Sequence, residues 1–176
     1  MGSHSSYAKR YPKEYERFTK ADNSKERTIN QYDNSVLYND FIVDSVFSML
    51  SAYSKKTQDI VSAIYLSDHG ENIYDENDDV GNGYPGAIPK SIVEIPFIVW
   101  LSTSYLSKFS EKSLIIKQNR ILPFMNDNLF ESVIDLNFIN YPDFFPQKSI
   151  FDSIYNFERK RILENGMDYD SIFYSK

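Results

Sequence analysis

Asp68 and His69, in the run Ser67-Asp68-His69-Gly70-Glu71, are the residues in this chain best suited to chemistry. A carboxylate and an imidazole are ligands for zinc or another divalent metal, with bonds of ~2.0–2.2 Å. Neighbours on a strand point to opposite faces, but on the turn that leaves a strand they can converge on one point. Gly70 frees the backbone to turn sharply. Glu71 stands where it could orient the histidine from behind or cap the next element. A surface turn with a capping aspartate and a solvated histidine accounts for the same residues, and both readings stand at this level. The chain has only 2 histidines, so the second, His4, also matters. It sits in Met1-Gly2-Ser3-His4, which reads as a terminal segment or a tag remnant, without the run of histidines that a tag carries. The acidic cluster Asp75, Glu76, Asp78 and Asp79 lacks the alternating spacing of an EF-hand and reads as a solvated loop.

The elements that must position these residues follow from periodicity. Ile60 to Leu66 is a β-branched, aromatic run that predicts a buried strand ending at Ser67. Residues 72–91 hold prolines, glycines and acids without periodicity and predict a long loop. Ile92 to Leu101 predicts a second buried strand, irregular at Pro96. Upstream, Ile29, Tyr32, Val36, Val43, Val46, Phe47 and Leu50 recur at three- and four-residue steps, which predicts an amphipathic helix from Glu26 to about Tyr53. Lys55 and Lys56 at its end complement the helix dipole. Residues 1–25 read as a loop leading into a short helix, and Ser104 to about Asn119 as a helix. Asp127 to Phe138 reads as a short helix capped by Asn126 or Asp127. In the aromatic tail, a charged helical turn or two is expected near Phe157–Glu164. Strand, loop and strand between helices predict an α/β layer fold with a mainly parallel sheet, and in such sheets ligands sit beyond the carboxyl ends of the strands. The Asp68-His69 pair lies there.

Length and composition bound the rest. At 176 residues, with 41% hydrophobic and 16% aromatic residues, the chain is the size of one domain or a large piece of one, and too apolar for a disordered tail. A net charge of −6 gives no general attraction to nucleic acid or an anionic membrane. With 0 cysteines there is no disulfide framework, Cys-ligated zinc or thiol nucleophile. No basic-then-apolar signal peptide opens the sequence, and no apolar run reaches the ~20 residues of a spanning helix, so the chain expressed alone is expected to be soluble and cytoplasmic.

Residues 64–102, IYLSDHGENIYDENDDVGNGYPGAIPKSIVEIPFIVWLS, resemble the phosphoethanolamine transferases of the bacterial envelope, in the sulfatase branch of the alkaline phosphatase superfamily. The family's S-D-H-G-E turn matches Ser67 to Glu71, and its strand of the type V/I-P-F-x-x-W-x-S matches Ile95 to Ser102. The likeness extends outward in order. Met1-Gly2-Ser3-His4 with its aromatic, basic sequel is similar to the G-[SN]-H segment. Tyr32-Asp33-Asn34-Ser35 through Tyr38 and Asp40 is similar to the Y-D-N-[ST]-x-x-Y-x-D helix. Asp127 to Phe130 is similar to D-N-[LI]-F. Arg159 to Ile162 and Gly166 to Asp170 are similar to the tail of the subgroup acting on core sugars, and the lack of cysteines leans the same way.

This resemblance implies a partial alkaline-phosphatase/sulfatase-like α/β/α sandwich, with residues 1–176 as the C-terminal portion of the catalytic domain. Asp68 and His69 inherit two ligands of the catalytic zinc, and His4 a place near the phosphoryl group or a second metal. The implied reaction is attack of a zinc-bound threonine on phosphatidylethanolamine and transfer of phosphoethanolamine to lipid A or a core sugar of lipopolysaccharide. The family is anchored in the inner membrane with a periplasmic catalytic domain. Its threonine, its first acidic ligand and its membrane helices lie upstream of the G-[SN]-H segment with which this sequence begins, so the expected ligand set is incomplete and no catalytic nucleophile is assigned. Gly81-Asn82 stands where the family usually has a further histidine. The expected function is a transferase fragment inactive alone. The alternatives are a half-enzyme completed by an N-terminal partner, a non-catalytic binding domain, or another member of the superfamily such as a sulfatase or phosphodiesterase.

Overall fold

The structure is a computed structural model that describes residues 4–83 and 86–174; Met1 to Ser3 of the G-[SN]-H segment lie outside them. The chain divides into two compact units. The first runs through Lys56 and takes in Ala63–Trp100; the second comprises Thr57–Ser62 and the stretch from Leu101 onward.

The first unit is built on α1, Ser24–Thr57. Its start is fixed by a capping arrangement in Asp22-Asn23-Ser24-Lys25-Glu26. The Asn23 side chain accepts from the Glu26 amide (2.9 Å), and Glu26 accepts in return from the Asp22 amide (2.8 Å). The helix is longer at both ends than periodicity predicts, and its apolar residues are less covered. Only Asn34, Ser35 and Ser54 are buried, while Val36 and Val46, expected in the core, are exposed. Asn34 is fully buried because it clamps the incoming chain: its Oδ1 accepts from the amides of Arg17 (2.7 Å) and Phe18 (2.9 Å), and its Nδ2 donates to the Phe18 carbonyl (2.9 Å). Before it, residues 7–9 and 13–15 form 3-10 turns instead of the expected short helix.

Strand β1, Ser62–Leu66, pairs with β4, Phe97–Leu101. β4 begins immediately after Pro96, and the stretch expected to open it is helical instead, as α2, Lys90–Val93. Pro96 has no N–H to give a ladder, so the strand starts just past it. No residue of β1 is fully buried, against the core strand expected. On β4, Trp100 stacks on Phe47 of α1, with ring centroids 6.1 Å apart. The long loop contains a hairpin, β2 (Asn72–Ile73) with β3 (Val80–Gly81), antiparallel with Asn72 opposite Gly81. Asn72, buried, organises it. Its Nδ2 donates to the Asp79 carbonyl (2.8 Å) and its Oδ1 accepts from the Asp75 amide (3.1 Å), an Asx-type turn. The fold is α/β, but no parallel ladder appears among the described residues: β2–β3 is antiparallel, and the Ser102 amide donates to the Val61 carbonyl (2.9 Å), setting the end of β4 beside the start of β1 as in an antiparallel pair.

The second unit carries α3 (Thr103–Lys108), α4 (Ser110–Asn119), α5 (Leu129–Leu136) and α6 (Tyr169–Phe173). Ser102 caps α3 by accepting from the Tyr105 amide (3.1 Å), and the helix expected over 104–119 breaks at Phe109. The α5 segment opens with a 3-10 turn at residues 126–128, so the α-helix itself begins at Leu129, past the expected start at Asp127. The helical turn expected near Phe157–Glu164 is absent; the tail's helix is α6, capped by Asp168. Tyr105, Leu136, Ile150 and Phe151 form the core. There the Tyr105 hydroxyl donates to the Leu136 carbonyl (2.7 Å), and Lys112 pairs with Asp135 (2.5 Å). Among the described residues no helix is long and apolar enough to cross a membrane.

Candidate metal centre

The turn after β1 does bring the predicted residues together. Asp68 Oδ1 and His69 Nε2 are 4.0 Å apart, somewhat wider than the roughly 3.4 Å between two tetrahedral ligands with bonds of ~2.0–2.2 Å to one ion. The His69 Nδ1–H donates to the Gly70 carbonyl (2.8 Å), which fixes the tautomer and leaves the Nε2 lone pair facing outward. That lone pair accepts from the Asn82 side-chain amide (3.2 Å). Asn82, at the position where the family has a histidine, therefore stands against the nitrogen that a metal would use. Asp68 is 89% exposed at its side chain and accepts from the His69 amide (3.1 Å). The hydrogen bonds from its own amide and that of His69, then the nearby imidazole, hold its carboxyl below the usual aspartate range.

His4 joins them, its ring in edge contact with that of His69 at a centroid distance of 5.5 Å. Its Nδ1 donates to Glu71 Oε1 (2.5 Å), so Nε2 is the nitrogen left for a ligand. The other Glu71 oxygen accepts from the Tyr7 hydroxyl (2.5 Å), and the Glu71 side chain is only 4% exposed. The histidine that Glu71 bonds is His4, not the adjacent His69, whose Nδ1 bonds the Gly70 carbonyl. Burial first, and then the carboxylate it bonds, push the Tyr7 phenol up, so its hydroxyl stays a donor. Arg10 secures the segment by donating from Nε to the His4 carbonyl (3.0 Å).

Gly70 matters for a reason other than the one expected. Its φ is not among the positive ones; it is needed because the Ser91–Glu94 backbone passes against it, and a Cβ there would meet the Ser91 carbonyl oxygen at 2.0 Å. The Gly70 amide donates to the Ile92 carbonyl (2.7 Å), tying the Asp68-His69 turn to α2.

The donor chemistry fits zinc, a carboxylate with an imidazole of fixed tautomer, but no group of three or more His, Asp or Glu side chains suited to a metal converges among the described residues. Tyr7 and Asn82 were not named as site residues from the sequence. Asn82 had a signal, as the amide at the family's histidine position. Tyr7 had none beyond belonging to the aromatic sequel of the first motif.

Comparison with known proteins places this geometry. The family model for sulfatases matches residues 1–136, and the chain belongs to the sulfatase family. Within it, the chain is similar to phosphoethanolamine transferases. It is 35% identical over 146 residues to phosphoethanolamine transferase EptA of Salmonella typhimurium, covering 77% of this chain and 26% of that one. It is 34% identical over 112 residues to the Kdo(2)-lipid A phosphoethanolamine 7''-transferase of the same organism, covering 60% of this chain and 19% of that one. Among solved structures, the C-terminal periplasmic domain of EptC from Escherichia coli in complex with Zn superposes with a TM-score of 0.83 at 26% identity, over 99% of this chain and 51% of that one. The chain thus spans about a quarter of the length of the relative EptA and about half of the EptC domain.

Proposed function

We propose that this chain supplies part of the zinc site of a phosphoethanolamine transferase, which moves phosphoethanolamine from phosphatidylethanolamine to lipid A or a core sugar of lipopolysaccharide. The observation that carries this reading is the meeting of Asp68, His69 and His4 at one turn, in a sulfatase-family chain that resembles a domain solved with zinc. Asp68 and His69 Nε2 would hold the ion, once the Asn82 amide gives up the imidazole nitrogen. When bound, the metal would lower the pKa of a coordinated hydroxyl and offset charge on the phosphoryl oxygens. His4 presents Nε2 to the phosphoryl group being transferred, with Glu71 holding the ring from behind. In a membrane-anchored parent protein this site would face the periplasm.

We further propose that the nucleophile and the remaining ligands come from outside these 176 residues, from an N-terminal half of the same domain. A specific surface favours this: Ile42, Val46, Met49 and Tyr53 are all exposed and follow one another along α1 at steps of four, three and four residues, a single apolar stripe. The test mixes the purified chain with phosphatidylethanolamine vesicles and zinc and measures diacylglycerol release. The chain alone gives none. Adding a separately produced upstream half of a matching domain restores release, and His69→Ala abolishes it. Turnover by the chain alone overturns the incomplete-site reading, and turnover undiminished by His69→Ala overturns the metal assignment.

A further inference from the structure

Among its described residues, the first unit contains a buried carboxylate with both oxygens engaged by residues far away in sequence. Glu71 takes the His4 Nδ1–H on one oxygen and the Tyr7 hydroxyl on the other, each at 2.5 Å, with its side chain 4% exposed. A carboxylate held at one oxygen can swing about its terminal bond; one held at both cannot. Tyr7 is itself fixed, buried at 6% exposure with its ring edge-on to Tyr32 of α1 at 5.4 Å. Its hydroxyl is therefore a stationary donor, and Glu71 a stationary acceptor for the imidazole.

We propose that Tyr7 is a positioning residue of this site: through Glu71 it locks His4 in the tautomer that carries its proton on Nδ1 and turns Nε2 outward. The tautomer of an imidazole is set by the bond that its other nitrogen makes, and partners of this kind change the affinity or activity of a site by about 10–100-fold when removed. His69 is fixed independently, by the Gly70 carbonyl, so the two histidines respond separately to changes at Tyr7. The inference rests on the reading that His4 serves the transferred phosphoryl group, but its test does not depend on turnover.

The experiment is a long-range proton–nitrogen correlation spectrum of the two histidine rings, recorded on the whole chain as wild type, Tyr7→Phe and Glu71→Gln. Tyr7→Phe keeps the ring against Tyr32 and removes only the hydroxyl. In wild type His4 shows the Nδ1–H pattern. In Tyr7→Phe it becomes a mixture of both tautomers while the His69 pattern is unchanged, which also reports that the turn is still folded. In Glu71→Gln the amide can donate to Nδ1 and His4 moves toward the Nε2–H form, a second reading should the tyrosine variant fail to fold. A His4 pattern identical in wild type and Tyr7→Phe overturns the proposal. Failure of the metal reading would register elsewhere, as zinc binding indifferent to Asp68 and His69.

Discussion

Gly70→Ala tests how the turn that carries Asp68 and His69 is held. The added Cβ would lie 2.0 Å from the Ser91 carbonyl oxygen, 3.1 Å from its carbon and 3.2 Å from the Glu94 oxygen, all backbone atoms that no rotamer change can move aside. Ordinary contact begins at 3.4 Å, so the strand end and α2 must part by more than 1 Å. Overpacking of this kind costs about 1–3 kcal/mol. Separation also strains the Gly70–Ile92 hydrogen bond of 2.7 Å, worth about 0.5–1.5 kcal/mol. The expected loss is about 2–4 kcal/mol, which for a chain of this size lowers Tm by about 5–15 °C. The turn carries Asp68 and His69, so zinc affinity should fall with stability. Urea or thermal unfolding read by circular dichroism, with zinc titration of the folded protein, checks both. If Gly70→Ala melts within a degree or two of wild type and binds zinc equally well, the close approach is not what fixes the turn.

Two further outcomes concern the scaffold. Asn34→Ala removes the acceptor of the Arg17 and Phe18 amides and the donor to the Phe18 carbonyl; it should cost about 2 kcal/mol, and amide exchange at residues 17 and 18 should speed up first. Burial, with Asp135 adding to it, pushes Tyr105 up to about 12. Its folded value lies above the unfolded ~10, so the stability it contributes is complete below pH 10 and lost as pH rises toward 12. That slope is about 2–3 kcal/mol in all, and alkaline denaturation curves should lose most of it in Tyr105→Phe.

What the sequence made legible is local. The run into Ser67-Asp68-His69-Gly70-Glu71 shows its strand, its turn and its ligand types within a few residues, and the structure brings Asp68 and His69 within 4.0 Å of one another. The helix start was less legible: the periodicity of apolar residues placed it two residues late, and the capping bonds of Asn23 and Glu26 that fix it appear only in the structure. What stayed hidden spans distance. Glu71 meets Tyr7 and His4 across more than sixty residues, and no spacing rule links them. Asn72 helps turn an apparently structureless loop into a hairpin through its side chain, where glycines and prolines suggested only irregularity. Val36 and Val46 show the opposite limit: helical spacing marks which residues are apolar, not what covers them.

The zinc-site reading depends most directly on whether Asp68 and His69 bind one metal ion together. Calorimetric titration of the purified chain with zinc, repeated on Asp68→Ala, His69→Ala and the double variant, decides this. The expected result is one ion per chain, affinity lowered at least about tenfold by either single change, and no additional loss in the double variant, because both side chains serve one ion. Zinc binding that is unchanged in both single variants would contradict it and leave the turn a structural feature of a non-catalytic domain.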